Sequence, residues 1–312
     1  LWVRMKKVFY INGGAGRVLC SIPAFLKRKK IHGDDFYIIS ESGIDFFIGI
    51  PELTDLVFDP HHKGIWESII KPNEIVTVEP YREHGYYNQK KTLTEAFDKI
   101  INNTEDHSDL PPSRIVLSQE EEMNAVDAIM NVKEYHKKDK TVVIQPFGRS
   151  SQLHKKSGHT FDPSARSLGT DDYFYISERI RKKYNCIVMS EHKFENDENM
   201  YIDSPLRTWS AVIEAADYFV GVDSVGQHIA RIFDKPGSVI LGSTFAENIT
   251  YSEHFNIVEK KNSQKRYSPI RIDGIDGELI NRINDSCMQF SRKELDDVAN
   301  NIMRHIKQKI GA

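Results

Sequence analysis

The chain has 312 residues, more than one ordinary hydrophobic core accommodates, so we expect two domains. Its 39% hydrophobic and 28% charged residues are typical of a globular protein and exclude a disordered or fibrous one. The net charge of −3 identifies no partner, and no apolar run reaches the roughly 18 residues that a membrane helix needs, so we expect no membrane span.

The first part of the chain alternates short apolar runs with segments that have helical spacing. The predicted strands are 6–11, 34–40 and 74–78, and the predicted helices are about 18–30, 92–102 and 119–138. Ser118 with Glu121 three residues later has the spacing of a capping box at the start of the last of these helices.

The alternation restarts after a charged stretch at 134–140. The predicted strands are then 141–148, 186–190, 218–222 and 237–241, and the predicted helices are 171–184, 207–216, 226–234 and 291–310. Continuously apolar strands that alternate with helices are typical of a parallel sheet covered on both faces. We therefore predict an α/β protein with two doubly wound domains, 1–137 and 138–312, which ends in a long helix. Such sheets bind ligands at the carboxyl ends of their strands.

Three widely spaced cysteines, Cys20, Cys186 and Cys287, form no CxxC or Cys/His cluster. This spacing argues against a disulfide framework and a structural zinc site, and it favours a reducing, cytoplasmic location. The N-terminus lacks the apolar segment of a signal peptide, and we expect translation to begin at Met5.

The hexapeptide DSVGQH places Asp223 at the end of a predicted strand and opens the next helix with Ser224, Val225 and Gly226. We expect the backbone N–H groups of these three residues to be unpaired, with the positive end of the helix dipole behind them. Such a turn binds phosphate. An ordinary N-cap with a packed and hydrogen-bonded His228 is the alternative interpretation.

The surrounding stretch, YFVGVDSVGQHIARIFDKPGSVILGST, resembles the C-terminal signature of the heptosyltransferase family, glycosyltransferase family 9. That signature has an Asp-Thr/Ser-Gly-x-x-His turn, a Lys-Pro strand and a Gly-x-Thr loop. The matching residues here are Asp223, Ser224, His228, Lys235, Pro236, Gly242 and Thr244. Val225 stands where the family has glycine. INGGAGRVLCSIPAFLKR and VVIQPFGRSS resemble the segments that open the family's first and second domains.

The resemblance implies the GT-B fold, in which two Rossmann-like domains face each other and the second binds a nucleoside-diphosphate sugar. Basic side chains would offset the diphosphate charge, and Glu191, directly after a strand, would accept hydrogen bonds from the ribose hydroxyls. The implied donor-binding residues are Asp223, Ser224, Val225, Gly226, His228, Arg166, Arg149 and Glu191. We expect a UDP- or ADP-linked donor and, because no DxD-type turn is present, no obligatory metal or cofactor.

The first Gly-rich turn departs from the family pattern. The family places an Asp, its general base, directly after the glycine, and this chain has Arg17 there. Arginine does not accept a proton at neutral pH. The candidates for a replacement base, all after strands of the first domain, are Asp45, Glu79 and His84. The turn residues Gly14, Gly16 and Arg17 would bind an anion, either the donor phosphates or a phosphate of the acceptor.

Loop 149–166 carries four Lys and Arg residues against the single acid Asp162. Lys155 and Lys156 within it, next to strand ends, suit contacts with an anionic acceptor. The family's usual acceptor, a phosphorylated glycan, is the leading expectation. The alternative is a bacteriophage enzyme that acts on 5-hydroxymethylcytosine in DNA, which would require the base to be flipped out of the duplex.

We therefore predict a monomeric, inverting glycosyltransferase. A nucleotide-sugar-binding protein without transferase activity is a further alternative, suggested by Arg17. A Rossmann dehydrogenase is disfavoured because NGGAG lacks the full G-x-G-x-x-G spacing.

Overall fold

The computed structural model describes residues 5–154, 156–202, 205–260 and 287–311. Lys155, one of the predicted anion-binding residues, lies outside the described residues. The chain forms two compact units, Leu1–Val116 and Leu117–Ala312.

The first unit is built on a parallel sheet. Its strands are β1 (Lys7–Ile11), β2 (Phe36–Ser40), β3 (Val57–Phe58) and β4 (Glu74–Thr77). Its helices are α1 (Ala15–His32), α2 (His84–Tyr87) and α3 (Leu93–Asn102), with short 3₁₀ turns at Ile44–Phe47, Thr54–Leu56 and Pro80–Arg82 and a π-type turn at Trp66–Ile70. The strand order is β3-β2-β1-β4, so the Gly-rich turn after β1 lies beside the carboxyl end of β4.

Helix α1 begins three residues before its predicted start, directly after the Gly-rich turn. Gly14 is its N-cap with an extended backbone, and no side chain caps the helix start. Phe25 of α1 packs between Phe9 and Phe36 of the two neighbouring strands, with ring centroids 5.7 and 5.9 Å away. This aromatic cluster fixes α1, and with it the turn, against the sheet.

The second unit contains a six-stranded parallel sheet and a two-stranded antiparallel hairpin. The strands are β5 (Thr141–Gln145), β6 (Gln152–Leu153), β7 (Thr160–Phe161), β8 (Asn185–Met189), β9 (Met200–Ile202), β10 (Tyr218–Val222), β11 (Gly237–Leu241) and β12 (Asn256–Glu259). The helices are α4 (Gln119–His136), α5 (Thr170–Arg181), α6 (Leu206–Ala215), α7 (Val225–Ile232), α8 (Ala246–Ile249) and, at the C-terminus, α9 (Arg292–Ile310). The order of the large sheet is β12-β11-β10-β5-β8-β9, and β6 pairs with β7. Its four central strands are buried along their whole length, as their continuous apolar runs predicted.

Helix α4 packs with the second unit, so the units divide before it and not, as the sequence predicted, between residues 137 and 138. Ser118 and Glu121 form the predicted capping box. Glu121 also makes a bidentate ion pair with Arg207 of α6, with N–O distances of 2.5 and 2.6 Å. These hydrogen bonds lower the pKa of Glu121 to about 2. The pair and the buried inner face of α4 hold the helix on α6, a contact that sequence periodicity does not reveal.

Cys20, Cys186 and Cys287 are all buried, and no disulfide joins them. Within the described part of the chain, no helix is long and apolar enough to cross a membrane.

Candidate functional site

The turn between β10 and α7 lies in the middle of the large sheet. Val222, the last residue of β10, pairs with Ile240 of β11, and Gly221 pairs with Gln145 of β5 on the other side. The loops that follow β5, β10 and β11 therefore begin side by side at the carboxyl edge of the sheet. A Cβ placed on Gly148, in the loop after β5, would come within 3.8 Å of Ser224 Oγ, so these two loops approach closely.

Two of the three predicted backbone donors of this turn are available. Among the described residues, the N–H groups of Ser224 and Val225 have no protein acceptor. The prediction for Gly226 is wrong, because its N–H donates to Gln145 Oε1 at 2.8 Å. Gln145 Nε2 donates in turn to Ser224 Oγ at 3.2 Å. One buried amide side chain from β5 thus fixes the turn and leaves its first two N–H groups for a ligand.

Arg166 brings a positive charge to this turn. Its Nη1 lies 3.7 Å from Asp223 Oδ2, and its Nε donates to Ser164 Oγ at 3.0 Å. Asp162, the single acid in the loop, accepts hydrogen bonds from the backbone N–H groups of Ser164 and Ser167 at 2.8 and 3.0 Å. The loop is therefore folded around Asp162 in a way that brings Arg166 beside the turn.

His228, on the inner side of α7, is buried and packs edge-on to Tyr251. Its Nδ1 is hydrogen-bonded to the Tyr251 hydroxyl at 2.9 Å. Burial lowers the pKa of His228 to about 4, so the imidazole is neutral at pH 7. Its packed, hydrogen-bonded position is the one that the alternative interpretation of the hexapeptide predicted.

The loop after β11 adds two hydroxyl groups that were not among the predicted site residues. Ser243 and Thr244 are each 1% exposed, and neither hydroxyl oxygen has a hydrogen-bond partner among the described residues. Buried polar groups are seldom left unpaired, so this loop is a second place where a polar ligand group would fit. Only the Gly-x-Thr spacing of the sequence signature pointed to it.

The remaining predicted residues of this unit that the structure describes, Glu191, Arg149 and Lys156, are exposed. Glu191 is exposed after β8, two strands from β10, a lateral separation of roughly 10 Å at the usual strand spacing. Arg149 is exposed after β5, and Lys156 is exposed in the loop that joins β6 to β7. The structure therefore brings Arg166 to the turn and leaves Arg149 and Lys156 on the surface.

In the first unit, Arg17 forms a buried ion pair. The residue is 4% exposed, and its Nη2 donates to the Val78 carbonyl oxygen at 3.0 Å and lies 3.4 Å from Glu79 Oε1. The guanidinium also lies over the Tyr81 ring, 4.8 Å from the centroid. Its Nε and Nη1 have no hydrogen-bond partner among the described residues. Arg17 thus joins the Gly-rich turn to the end of β4 through Glu79.

The three base candidates have different surroundings. The Glu79 side chain is 15% exposed, and its Oε1 also accepts from the Tyr81 N–H at 3.3 Å. Asp45 is exposed in a 3₁₀ turn, and His84 is exposed at the start of α2. Of the three candidates, Glu79 is therefore the one whose side chain is mostly buried and is oriented by an ion pair and a backbone hydrogen bond.

The turn glycines Gly14 and Gly16 are partly exposed, and nothing lies within 4 Å of a Cβ placed on Gly14. There is accordingly room for a ligand beside the start of α1. Across the described ranges, no three His, Cys, Asp or Glu side chains are grouped so as to hold a metal ion.

Comparison with solved structures identifies the fold. A family 9 glycosyltransferase from Veillonella parvula superposes with a TM-score of 0.61 at 12% identity, over 96% of this chain and 97% of that one. The iron-containing dodecameric glycosyltransferase TibC from enterotoxigenic E. coli gives 0.59 at 13% identity, over 98% and 81%. E. coli ADP-heptose LPS heptosyltransferase II gives 0.52 at 9% identity, over 94% and 99%.

This is the fold of the family 9 glycosyltransferases. The predicted GT-B class is thereby confirmed. The sequence matches no family model, and a search of curated proteins finds no match either.

Proposed function

We propose that this protein is an inverting glycosyltransferase that transfers a sugar from a nucleoside-diphosphate sugar to a hydroxyl group of an anionic acceptor. The observation that carries the proposal is the turn after β10. The N–H groups of Ser224 and Val225 are available there at a helix start, beside the cation of Arg166. No acidic residue lies in the first turn of α7, so nothing within the helix competes with a bound anion.

The diphosphate would receive hydrogen bonds from the Ser224 and Val225 N–H groups and charge compensation from Arg166. The hydroxyls of Ser243 and Thr244 would bind further polar groups of the donor. Glu191 would bind the ribose, because it follows β8, which lies roughly 10 Å from β10 at the usual strand spacing, and this separation suits the length of a nucleoside diphosphate. An ADP-linked donor is supported by the fold comparison, since TibC has been crystallised with ADP-D-β-D-heptose.

We further propose Glu79 as the general base in place of the family's Asp. Its carboxylate would take the proton of the acceptor hydroxyl, whose oxygen attacks the anomeric carbon while the bond to the diphosphate breaks. The nucleoside diphosphate leaves with the bonding electron pair, and the anomeric configuration inverts. Arg17 is a positioning residue in this scheme, because its guanidinium is buried and fixes the Glu79 carboxylate at 3.4 Å.

Donor binding and base function are tested separately. A thermal-shift screen with ADP-, UDP- and GDP-sugars should show stabilisation by one class of donor, since a ligand that binds only the folded state raises stability. Glu79→Gln should abolish transfer and preserve donor binding, whereas the matched changes Asp45→Asn and His84→Gln should leave transfer within about threefold of wild type, as expected for side chains outside the transition state. Retained transfer in Glu79→Gln would exclude Glu79 as the base.

The acceptor is decided by a transfer assay with a labelled donor. We expect labelling of a phosphorylated, lipid-linked glycan, with the exposed Arg149 and Lys156 near the acceptor phosphates. Labelling of hydroxymethylated DNA alone would show that the DNA-modifying alternative is correct. Donor binding with neither transfer nor donor hydrolysis would identify a nucleotide-sugar-binding protein.

A further inference from the structure

Helix α4 presents an apolar stripe to solvent. Met123, Val126 and Met130 are exposed by 59%, 47% and 60% of their surface. Spacings of three and four residues place all three on one face of the helix. We call these three residues the α4 stripe. Large apolar side chains that are contiguous and exposed mark an interaction surface, whereas isolated ones do not.

The stripe is not the face that attaches α4 to its own unit. That attachment uses the adjacent face, where Ala125, Ile129 and Val132 are buried, together with the Glu121–Arg207 ion pair. The α4 stripe is thus additional to the contacts that fix the helix.

The spacing continues beyond the stripe in both directions. Gln119 lies four residues before Met123, and Lys133 and Lys137 follow Met130 at steps of three and four. These flanking positions are polar, so the apolar contact that α4 offers is confined to the α4 stripe. The outer face of α4 therefore has a short apolar centre between polar ends.

The two ends of α4 carry opposite charge. Glu120 and Glu122 occupy the first turn, and Lys133 and Lys137 lie at the other end. The Lys133 side chain is 36% exposed and 3.9 Å from Asp217, so it remains accessible. An antiparallel partner with the same sequence would place its basic end beside this acidic end, whereas a parallel partner would bring like charges together.

We propose that α4 pairs antiparallel with α4 of a second copy of this chain, which makes the protein a homodimer and not the monomer expected from its sequence. If Met123 faces Met130 of the other copy, then Glu120 faces Lys133 of that copy at both ends of the interface. The Val126 side chains then lie beside the twofold axis. Such an interface is isologous, because each copy contributes the same surface.

The test is the mass of the full chain in solution, measured by sedimentation equilibrium over a range of concentrations. Wild type should form a dimer. Met123→Glu with Met130→Glu should weaken dimerisation at least about tenfold, and Met123→Leu with Met130→Leu should preserve it. Circular dichroism should show unchanged folding, since both positions are on the surface.

Charge reversal tests the orientation. Glu120→Lys alone should weaken the dimer, and adding Lys133→Glu to it should restore the dimer, because each exchanged pair is again of opposite sign. Val126→Cys should form a disulfide-linked dimer on oxidation, while wild type should not, since its own cysteines are buried. A wild-type chain that stays monomeric, or a dimer unaffected by both glutamate substitutions, would overturn the proposal.

Discussion

Replacing Val225 with proline would remove one backbone N–H from the turn after β10 and disturb little else. Val225 is the first residue of α7, the position at which proline is most readily accepted in a helix. Ser224 before it has φ −154° and ψ −178°, an extended backbone that suits a residue preceding proline. Val225→Pro therefore isolates the contribution of a single amide to the proposed diphosphate site.

The size of the effect follows from the charge of the ligand. A hydrogen bond to a charged group contributes about 1.5–3 kcal/mol, and each 1.4 kcal/mol changes a dissociation constant tenfold. We therefore expect Val225→Pro to raise the Kd for the preferred nucleoside diphosphate by about 10- to 100-fold. The helix itself loses no hydrogen bond, because the Val225 N–H has no internal acceptor among the described residues.

Isothermal titration calorimetry with ADP and UDP measures this change. Val225→Ala is the matched control, since it shortens the side chain and keeps the N–H, and its Kd should remain close to that of wild type. A Val225→Pro protein with unchanged melting temperature and unchanged Kd would show that this amide does not contact the diphosphate. The assignment of the donor site would then fail.

Three further predictions concern stability and are checked by urea unfolding. Asp98→Ala should lower the free energy of unfolding by about 3 kcal/mol, because Asp98 is fully buried and pairs with Lys27 at 3.1 Å. Asp109→Ala removes an exposed partner of the same lysine and should lower it by less than about 1 kcal/mol. Equal losses would contradict this account. Gly242→Ala should destabilise the protein by at least about 2 kcal/mol, because the added Cβ would overlap a backbone carbonyl oxygen. If the variant unfolded at the same urea concentration as wild type, the close packing around Gly242 would be refuted. Burial lowers the pKa of His228 from 6.5 to about 4, so as the pH falls the unfolded chain takes up this proton before the folded protein does. The free energy of unfolding should therefore fall by up to about 3 kcal/mol between pH 6.5 and 4. His228→Asn should make this dependence on pH less steep.

Local patterns in the sequence predicted most of the regular elements. The central strands of the large sheet are continuous apolar runs, and Ser118 with Glu121 marks the start of α4, so both signals lie within a few neighbouring residues. The short helices α2 and α8, the strands β3, β9 and β12 and the hairpin β6–β7 were not predicted. These strands have two to four residues, too few to show a period.

The candidate site was predictable only in part. DSVGQH indicated the turn and its phosphate-binding potential, because a strand end followed by a helix start is a local feature. It did not indicate that the Gln145 side chain accepts a hydrogen bond from the Gly226 N–H, since that hydrogen bond depends on β5 lying beside β10. Arg166 was selected from several cations in its loop, and only the fold around Asp162 places it at the turn.

Arg17 shows the same division most clearly. The sequence established that a cation, incapable of accepting a proton, stands in the first Gly-rich turn. The tertiary structure decided what that cation does, because the order β2-β1-β4 brings Glu79 to it from 62 positions along the chain. Residue type and local spacing fix the chemistry that each side chain has available. The order of the strands fixes which side chains meet, and no local pattern contains that order.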